Sequence, residues 1–234
     1  MKRCSRLPPG DLGAAGFLLR AARSRIKPVG NAPVQQAMEL DLARLPILRQ
    51  PLDGGPFVTW PMVATRHPVT GGRNLGTYRM HVFDPQTTGM HMQIQKGGGF
   101  HYHVAEERGE SLPVCVVLGG DPVLMLASIA PPENIDELAF AAYLRGSPLP
   151  MTRAKTVPLD VPARAEFIIE GEVPPRERRM EGPFGDHFGH YSHAAEFRLP
   201  CQNRDPPGGR FIQRRWSGSR RRRRIGRSAM RCRR

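Results

Sequence analysis

Thr77-Tyr78-Arg79-Met80-His81-Val82-Phe83 and Met90-His91-Met92-Gln93-Ile94-Gln95, joined by Asp84-Pro85-Gln86-Thr87-Thr88-Gly89, alternate apolar and polar side chains on both sides of a turn-forming hexapeptide. That period of two predicts a β-hairpin. Tyr78, Met80 and Val82 fall on one face of the first strand, with Thr77, Arg79 and His81 on the other. Any register that matches the apolar faces also matches the polar ones, so Arg79 is expected to share a face with His91, Gln93 and Gln95. An arginine on the inner face of a hairpin calls for an anion, which is either a ligand or a neighbouring carboxylate.

Outward from the hairpin, Phe57 to Thr65 also alternates and reads as a strand, with Pro61 at an edge or bulge. Pro113 to Leu118 and Val123 to Ser128 are continuous apolar runs about Gly119-Gly120-Asp121, and both are expected as fully buried strands. Val157 to Pro162 and Glu166 to Gly171 add two more. The clearest helix is expected over Ile135 to Leu144, with Asn134 as its cap, Glu137 as its third residue and Gly146-Ser147-Pro148 as its stop. Strands outnumber helices, so the expected fold class is α+β and β-rich. Lys96-Gly97-Gly98-Gly99 reads as a loop, either flexible or suited by its N–H groups and cation to a phosphate or flavin. His101 and His103 are expected as surface histidines, and Glu106 to Glu110 as solvated charge.

Titratable groups concentrate at Met180 to Tyr191, reading Met-Glu-Gly-Pro-Phe-Gly-Asp-His-Phe-Gly-His-Tyr. Gly182-Pro183-Phe184-Gly185 cannot continue a helix or a central strand, so Glu181 and Asp186 are held together on one loop. Two readings stand side by side: turn-capping carboxylates in water, or a site. A zinc site from His187, His190 and His193 is disfavoured, because that spacing on a glycine-containing loop fixes no ligand geometry.

Glu-Gly-Pro-Phe-Gly-Asp resembles the signature of the UbiD family of decarboxylases, which use prenylated FMN. The resemblance extends over roughly residues 34 to 198, through Gly-Arg-Asn-Leu-Gly-Thr-Tyr-Arg-Met (72–80), Lys-Gly-Gly-Gly (96–99) and Asn-Ile-Asp-Glu (134–137). It implies a split-barrel flavin-binding fold and a carboxy-lyase acting reversibly and non-oxidatively on an aromatic or α,β-unsaturated carboxylic acid. It further implies Arg79, Glu181 and Asp186 as the catalytic trio: Arg79 holds the substrate carboxylate, Glu181 orients Arg79, and Asp186 donates the replacing proton with a pKa raised by burial beside Glu181. Thr77, Tyr78, Arg79, His91, Met92, Gln93, Lys96 and Gly97 match segments that line prenylated FMN. Asn74 and Glu137 match ligands of a divalent metal, usually Mn2+, with K+ as a further cation. The third ligand is commonly a histidine, and Gln95 stands in its position. A flavin prenyltransferase is implied as the cofactor source, and a homo-oligomer as the assembly.

The charge of +14 belongs to the ends. Residues 201–234 hold thirteen Arg and one Asp, residues 1–30 seven Lys or Arg and one Asp, and residues 31–200 a balance of −4. The expected organisation is therefore a poorly ordered extension over 1–33, the UbiD-like catalytic domain over 34–199 and a disordered Arg-rich tail over 200–234. Family members are about twice this length, and composition changes abruptly after Leu199, so the coding sequence is expected to shift frame or be cut near residue 200, leaving a recognisable site and little activity. Arg220 to Arg224 carry the rival reading, a nucleic-acid-binding protein acting through its tail. Against it, the −4 body offers no basic face. Cys4, Cys115, Cys201 and Cys232 show no metal spacing, and Cys115 is expected as a buried free thiol in a reducing compartment. No apolar run approaches the roughly 20 residues of a membrane span. The expected location is cytoplasmic.

Overall fold

The long apolar run predicted around Cys115 is the spine of the molecule. In the computed structural model, which describes residues 26–39, 41–93, 97–130, 136–198, 200–203 and 212–214, the chain forms strands β1 (Ile26–Pro28), β2 (Ala37–Glu39), β3 (Phe57–Val58), β4 (Met62–Arg66), β5 (Arg73–Thr77), β6 (Met80–Val82) and β7 (Thr87–Met90). Helix α1 (Gly97–Glu107), strand β8 (Leu112–Leu118), and helices α2 (Pro122–Ile129) and α3 (Glu137–Arg145) follow. The chain then runs through β9 (Leu149–Arg153), β10 (Asp160–Pro162), β11 (Phe167–Val173), β12 (Arg178–Glu181), β13 (Ala195–Arg198), β14 (Pro200–Asn203) and β15 (Ile212–Arg214).

The main sheet has the order β3-β6-β7-β14-β11-β8-β4-β5, with β15 bridging β11 and β2. Two small sheets, β1-β9-β10 and β12-β13, flank it. Strand β8 alternates between two cores: Cys115 and Val117 face one, packed with Leu124, Leu138 and Ala142 of the helices, while Val114 and Val116 face the other with Met80, Met90 and Tyr102. Each such buried Val or Leu contributes roughly 1.5–3 kcal/mol. Cys115 is fully buried and not in a disulfide, as expected. The fold is the expected strand-rich α+β class.

Several local expectations are corrected. Phe57 to Thr65 is two strands, because Pro61 interrupts the ladder between β3 and β4. Thr77 to Phe83 is also divided: β5 pairs with β4, β6 pairs with β7, and Tyr78 and Arg79 lie at the bend. Val123 to Ser128 is helix α2, since Asp121 caps it by accepting the Val123 N–H and Pro122 takes its first position. The glycines after Lys96 open helix α1, and they are used for close approach: a Cβ on Gly97 would stand 2.1 Å from Asn74 Oδ1. His101 is buried within α1, hydrogen-bonded to Thr65 (2.9 Å), and burial followed by the charge of His67 lowers its pKa to about 4. Helix α3 is capped by Asp136, whose Oδ1 accepts from Leu138 N (2.9 Å) and Ala139 N (3.2 Å), while Asn134 lies outside the described residues. Glu137 is thus the first helical residue and closes no capping box. Gly146 ends the helix with φ +69°, as its position predicted.

The domain limits also shift. Ile26–Pro28 pairs in parallel with Leu149–Met151, and Val34 is fully buried, so the ordered body begins before residue 34. On the other side of residue 199, Pro200–Asn203 and Ile212–Arg214 pair in the main sheet instead of forming a disordered tail. The expected disorder over 1–25 and the Arg220 to Arg224 run lie outside the described residues. Among the described residues, no helix is long and apolar enough to cross a membrane.

Candidate active site

The bend between β5 and β6 turns Arg79 towards the end of β12. Its Nε donates to Glu181 Oε1 at 2.6 Å, and Glu181 Oε2 lies 3.2 Å from His91 Nδ1. Arg79 Nη2 lies 3.3 Å from the same His91 nitrogen, and His91 N–H donates to the Arg79 carbonyl at 3.0 Å. The shared face of Arg79 and His91 is therefore as the hairpin pattern predicted, and the anion is Glu181, which is 2% exposed. Burial pushes the Glu181 pKa up, but the hydrogen bonds from His91 and Arg79 outweigh it and hold the carboxyl below the usual glutamate value. The pair is charged and fixed. Arg79 also lies over the ring of Phe184, 4.5 Å from its centroid.

Glu181 and Asp186 do share a loop. Asp186 N–H donates to the His190 carbonyl (2.8 Å), Gly185 bridges Tyr191, and Phe184 N–H donates to Ser192 Oγ (3.1 Å), so residues 183–192 form a tight hairpin-like excursion. Asp186 is not buried beside Glu181, as the sequence led us to expect. Its side chain is 41% exposed and pairs with His187 at the rim. Arg79 and Asp186 line one cleft of about 780 Å³, whose wall includes Thr77, Tyr78, His91 and Gln93. Met92 packs on the second core instead, and Lys96 lies outside the described residues.

Beside the cleft, Asn74 and Glu137 converge. Glu137 Oε2 accepts the Leu75 N–H at 3.3 Å, and burial raises its pKa. Tyr78 interacts with both residues, and its hydroxyl accepts the Gly98 N–H at 2.9 Å; burial raises the Tyr78 pKa. Asn74 Nδ2 is buried without a hydrogen-bond partner among the described residues. Two oxygen donors, one a desolvated carboxylate, suit a hard divalent cation. Gln95, the expected third donor, lies outside the described residues, among which no group of three or more His, Cys, Asp or Glu is close enough to hold a metal.

Residues 25–200 match the family model described as UbiD, the 3-octaprenyl-4-hydroxybenzoate carboxy-lyase Rift-related domain. The chain belongs to the UbiD family. It is 47% identical over 167 residues to a Chlamydia pneumoniae protein named as one subunit of a 4-hydroxybenzoate decarboxylase, a match over 70% of this chain and 29% of that protein. The UbiD-class enzyme HmfF of Pelotomaculum thermopropionicum, solved in complex with FMN, superposes with a TM-score of 0.76 at 30% identity, over 86% of this chain and 45% of HmfF. An evolved dimeric form of HmfF, solved with prFMN, matches with a TM-score of 0.74 at 30% identity, over 86% of this chain and 48% of the other. This chain spans less than half the length of these UbiD relatives.

Against the UbiD background, sequence reasoning missed Trp60 and Phe184 among the residues of the cleft wall, and Asp53 behind it. Trp60, 57% exposed, and Phe184 supply apolar wall, and their only signal was an aromatic beside Pro61 or Pro183. Asp53 is 5% exposed and bonds the site loop from 132 residues away in sequence. Pro51-Leu52-Asp53-Gly54-Gly55 carries turn-forming residues and no local signal of that contact.

Proposed function

We propose that this chain is the flavin- and substrate-binding part of a carboxy-lyase that reversibly and non-oxidatively decarboxylates an aromatic or α,β-unsaturated carboxylic acid. The observation that carries this reading is Arg79 in the wall of the 780 Å³ cleft, held from behind by its 2.6 Å ion pair with Glu181. Arg79 binds the substrate carboxylate by charge-assisted hydrogen bonds, and ionised Glu181 keeps the guanidinium from swinging into solvent. Carbon dioxide leaves with the loss of the carbon–carbon bond, and Asp186 supplies the proton that takes its place on carbon. Trp60 and Phe184 supply flat apolar surface for an aromatic or conjugated acid.

Prenylated FMN, when bound, supplies the electron sink for that cleavage. Thr77, Tyr78, His91, Gln93, Lys96 and Gly97 would hold it, the last because backbone at a glycine can approach closely. Asn74, Gln95 and Glu137 would hold Mn2+, with K+ as a further cation. The solved FMN and prFMN complexes of HmfF support the flavin assignment, and the name of the Chlamydia pneumoniae relative supports an aromatic carboxylate substrate. A flavin prenyltransferase would provide the cofactor, and a homo-oligomer is the expected assembly.

The test is to express the chain with a prenylated-FMN supply and measure its absorption spectrum, metal ratio and release of carbon dioxide from a panel of aromatic and acrylic acids. Near-stoichiometric flavin is expected, with turnover that is measurable but low for the family. Glu181→Gln and Asp186→Asn should each lower kcat by roughly 10³ or more while leaving flavin bound. Near-normal turnover in either variant would sink the assignment.

A further inference from the structure

We propose that Asp53 is a positioning residue that sets the Phe184-Gly185-Asp186 segment against Arg79 and Glu181, a role that rests on the decarboxylase reading above. Its Oδ1 accepts the Gly185 N–H at 2.9 Å, and its Oδ2 accepts the Gln50 N–H at 3.1 Å. Its own N–H donates to the Gln50 carbonyl at 3.1 Å, so the turn closes on itself as it grips the loop. A carboxylate that is 5% exposed is tolerated when its oxygens are hydrogen-bonded, and backbone N–H groups provide those bonds here.

The neighbouring glycine adds a second clasp. Gly54 N–H donates to the Pro183 carbonyl at 2.8 Å, and a Cβ on Gly54 would stand 2.0 Å from the Gly182 carbonyl oxygen. The two backbones are in contact, with no room for a side chain between them. The 50–54 turn therefore holds the segment at Gly182, Pro183 and Gly185, between Glu181, which is buried, and Asp186, which stands at the rim. Phe184 completes the attachment on Phe57, centroid to centroid 4.8 Å. The distance between the group that orients Arg79 and the group that gives up a proton is thus set from outside the loop, by a residue that touches neither substrate nor cofactor. A misplacement of about 1 Å at such a point costs on the order of 10² in rate.

Asp53→Asn keeps the shape but sets an amide donor against the N–H of Gly185 or Gln50; Asp53→Ser removes the reach. Amide hydrogen exchange, thermal midpoint, flavin binding and steady-state kinetics are compared in the whole chain and both variants. Expected are exchange faster by roughly tenfold or more confined to residues 182–192 and flavin binding as in the parent. The expected kinetic effect is a kcat reduced by roughly tenfold to a hundredfold at near-constant KM. Unchanged exchange over 182–192 in both variants overturns the role. So does a uniform rise along the whole chain, which marks a general structural defect. A parent chain without turnover removes the decarboxylase reading alone, and the exchange and flavin arms still decide what Asp53 does.

Discussion

Glu181 gives up nearly all contact with water and still holds its proton less tightly than a free glutamate, because two donors face it. Its folded pKa is below the unfolded value, so the unfolded chain binds more protons between the two, and stability rises with pH through that window. The contribution is complete above the ordinary glutamate value of 4.5 and is lost as the pH falls through the folded one. Glu181→Gln should therefore cost roughly 3 kcal/mol near neutral pH, chiefly by leaving Arg79 without its anion. Denaturant unfolding of parent and variant between pH 3 and 7 checks this: the difference should shrink on the acid side, and a constant difference would count against the ion pair. The Arg79–His91 proximity was legible from the alternation of the hairpin alone. The partner of Arg79 was not, since nothing in local spacing connects residues 102 positions apart, and only the resemblance of the 181–186 motif joined them. Burial of Asp186 was read from the chemistry an acid needs and not from the loop, whose turn puts that side chain at the rim.

Helix α1 touches the candidate site at one end and braces it at the other. At its start Gly98 bonds Tyr78; further along, Tyr102 Oη donates to Glu106 at 2.7 Å and accepts from Arg176 N and Arg178 Nη1, each at 3.2 Å. Arg178 Nη2 donates to Glu106 at 2.6 Å, which fixes the first residue of β12, the strand that ends at Glu181. Arg176 has φ 63°, a conformation unusual for a residue with a side chain, and the bonds from its N–H to Tyr102 and Glu106 (3.0 Å) hold it there. Tyr102→Phe should destabilise the chain by roughly 0.5–1.5 kcal/mol, read as a lowered thermal midpoint, since it removes the hydroxyl's bonds while Arg176 N–H keeps Glu106 and Arg178 Nη1 keeps the Glu177 carbonyl. This helix was illegible because three glycines in its first turn argue against helix, and what overrides them is tight backbone contact with Asn74 and Tyr78. Helix α2 was misread for a different reason: a short, wholly apolar run has no period to distinguish strand from helix. There the Asp121-Pro122 start signal outweighed the apolar content, whereas the run at Val114 to Val117 was read correctly as a strand buried on both faces.

Among the described residues the main sheet has a core on each side, and the cleft opens where β5, β6 and the 183–192 loop meet. Ligand that binds only the folded form should stabilise it by mass action, by about 2.7 kcal/mol at a hundredfold excess over Kd. A flavin titration followed by thermal denaturation is expected to raise the midpoint of the parent, and a midpoint independent of flavin would argue that the cleft does not take it. Family membership and the strand-rich class were legible across most of the chain. The limits at either end were not, because Ile26–Pro28 and Pro200–Asn203 join sheets through backbone pairing that leaves little trace in side-chain composition. The clasp between Asp53 and Gly185 spans 132 positions, the Arg79–Glu181 pair 102 and the Glu137–Leu75 bond 62. During synthesis at about 5–20 residues per second, Asp53 leaves the ribosome on the order of ten seconds before Gly185 exists to meet it. For that interval the nascent chain carries a carboxylate and an arginine whose partners are still unmade, so the candidate site cannot close until residues 181–185 have been added.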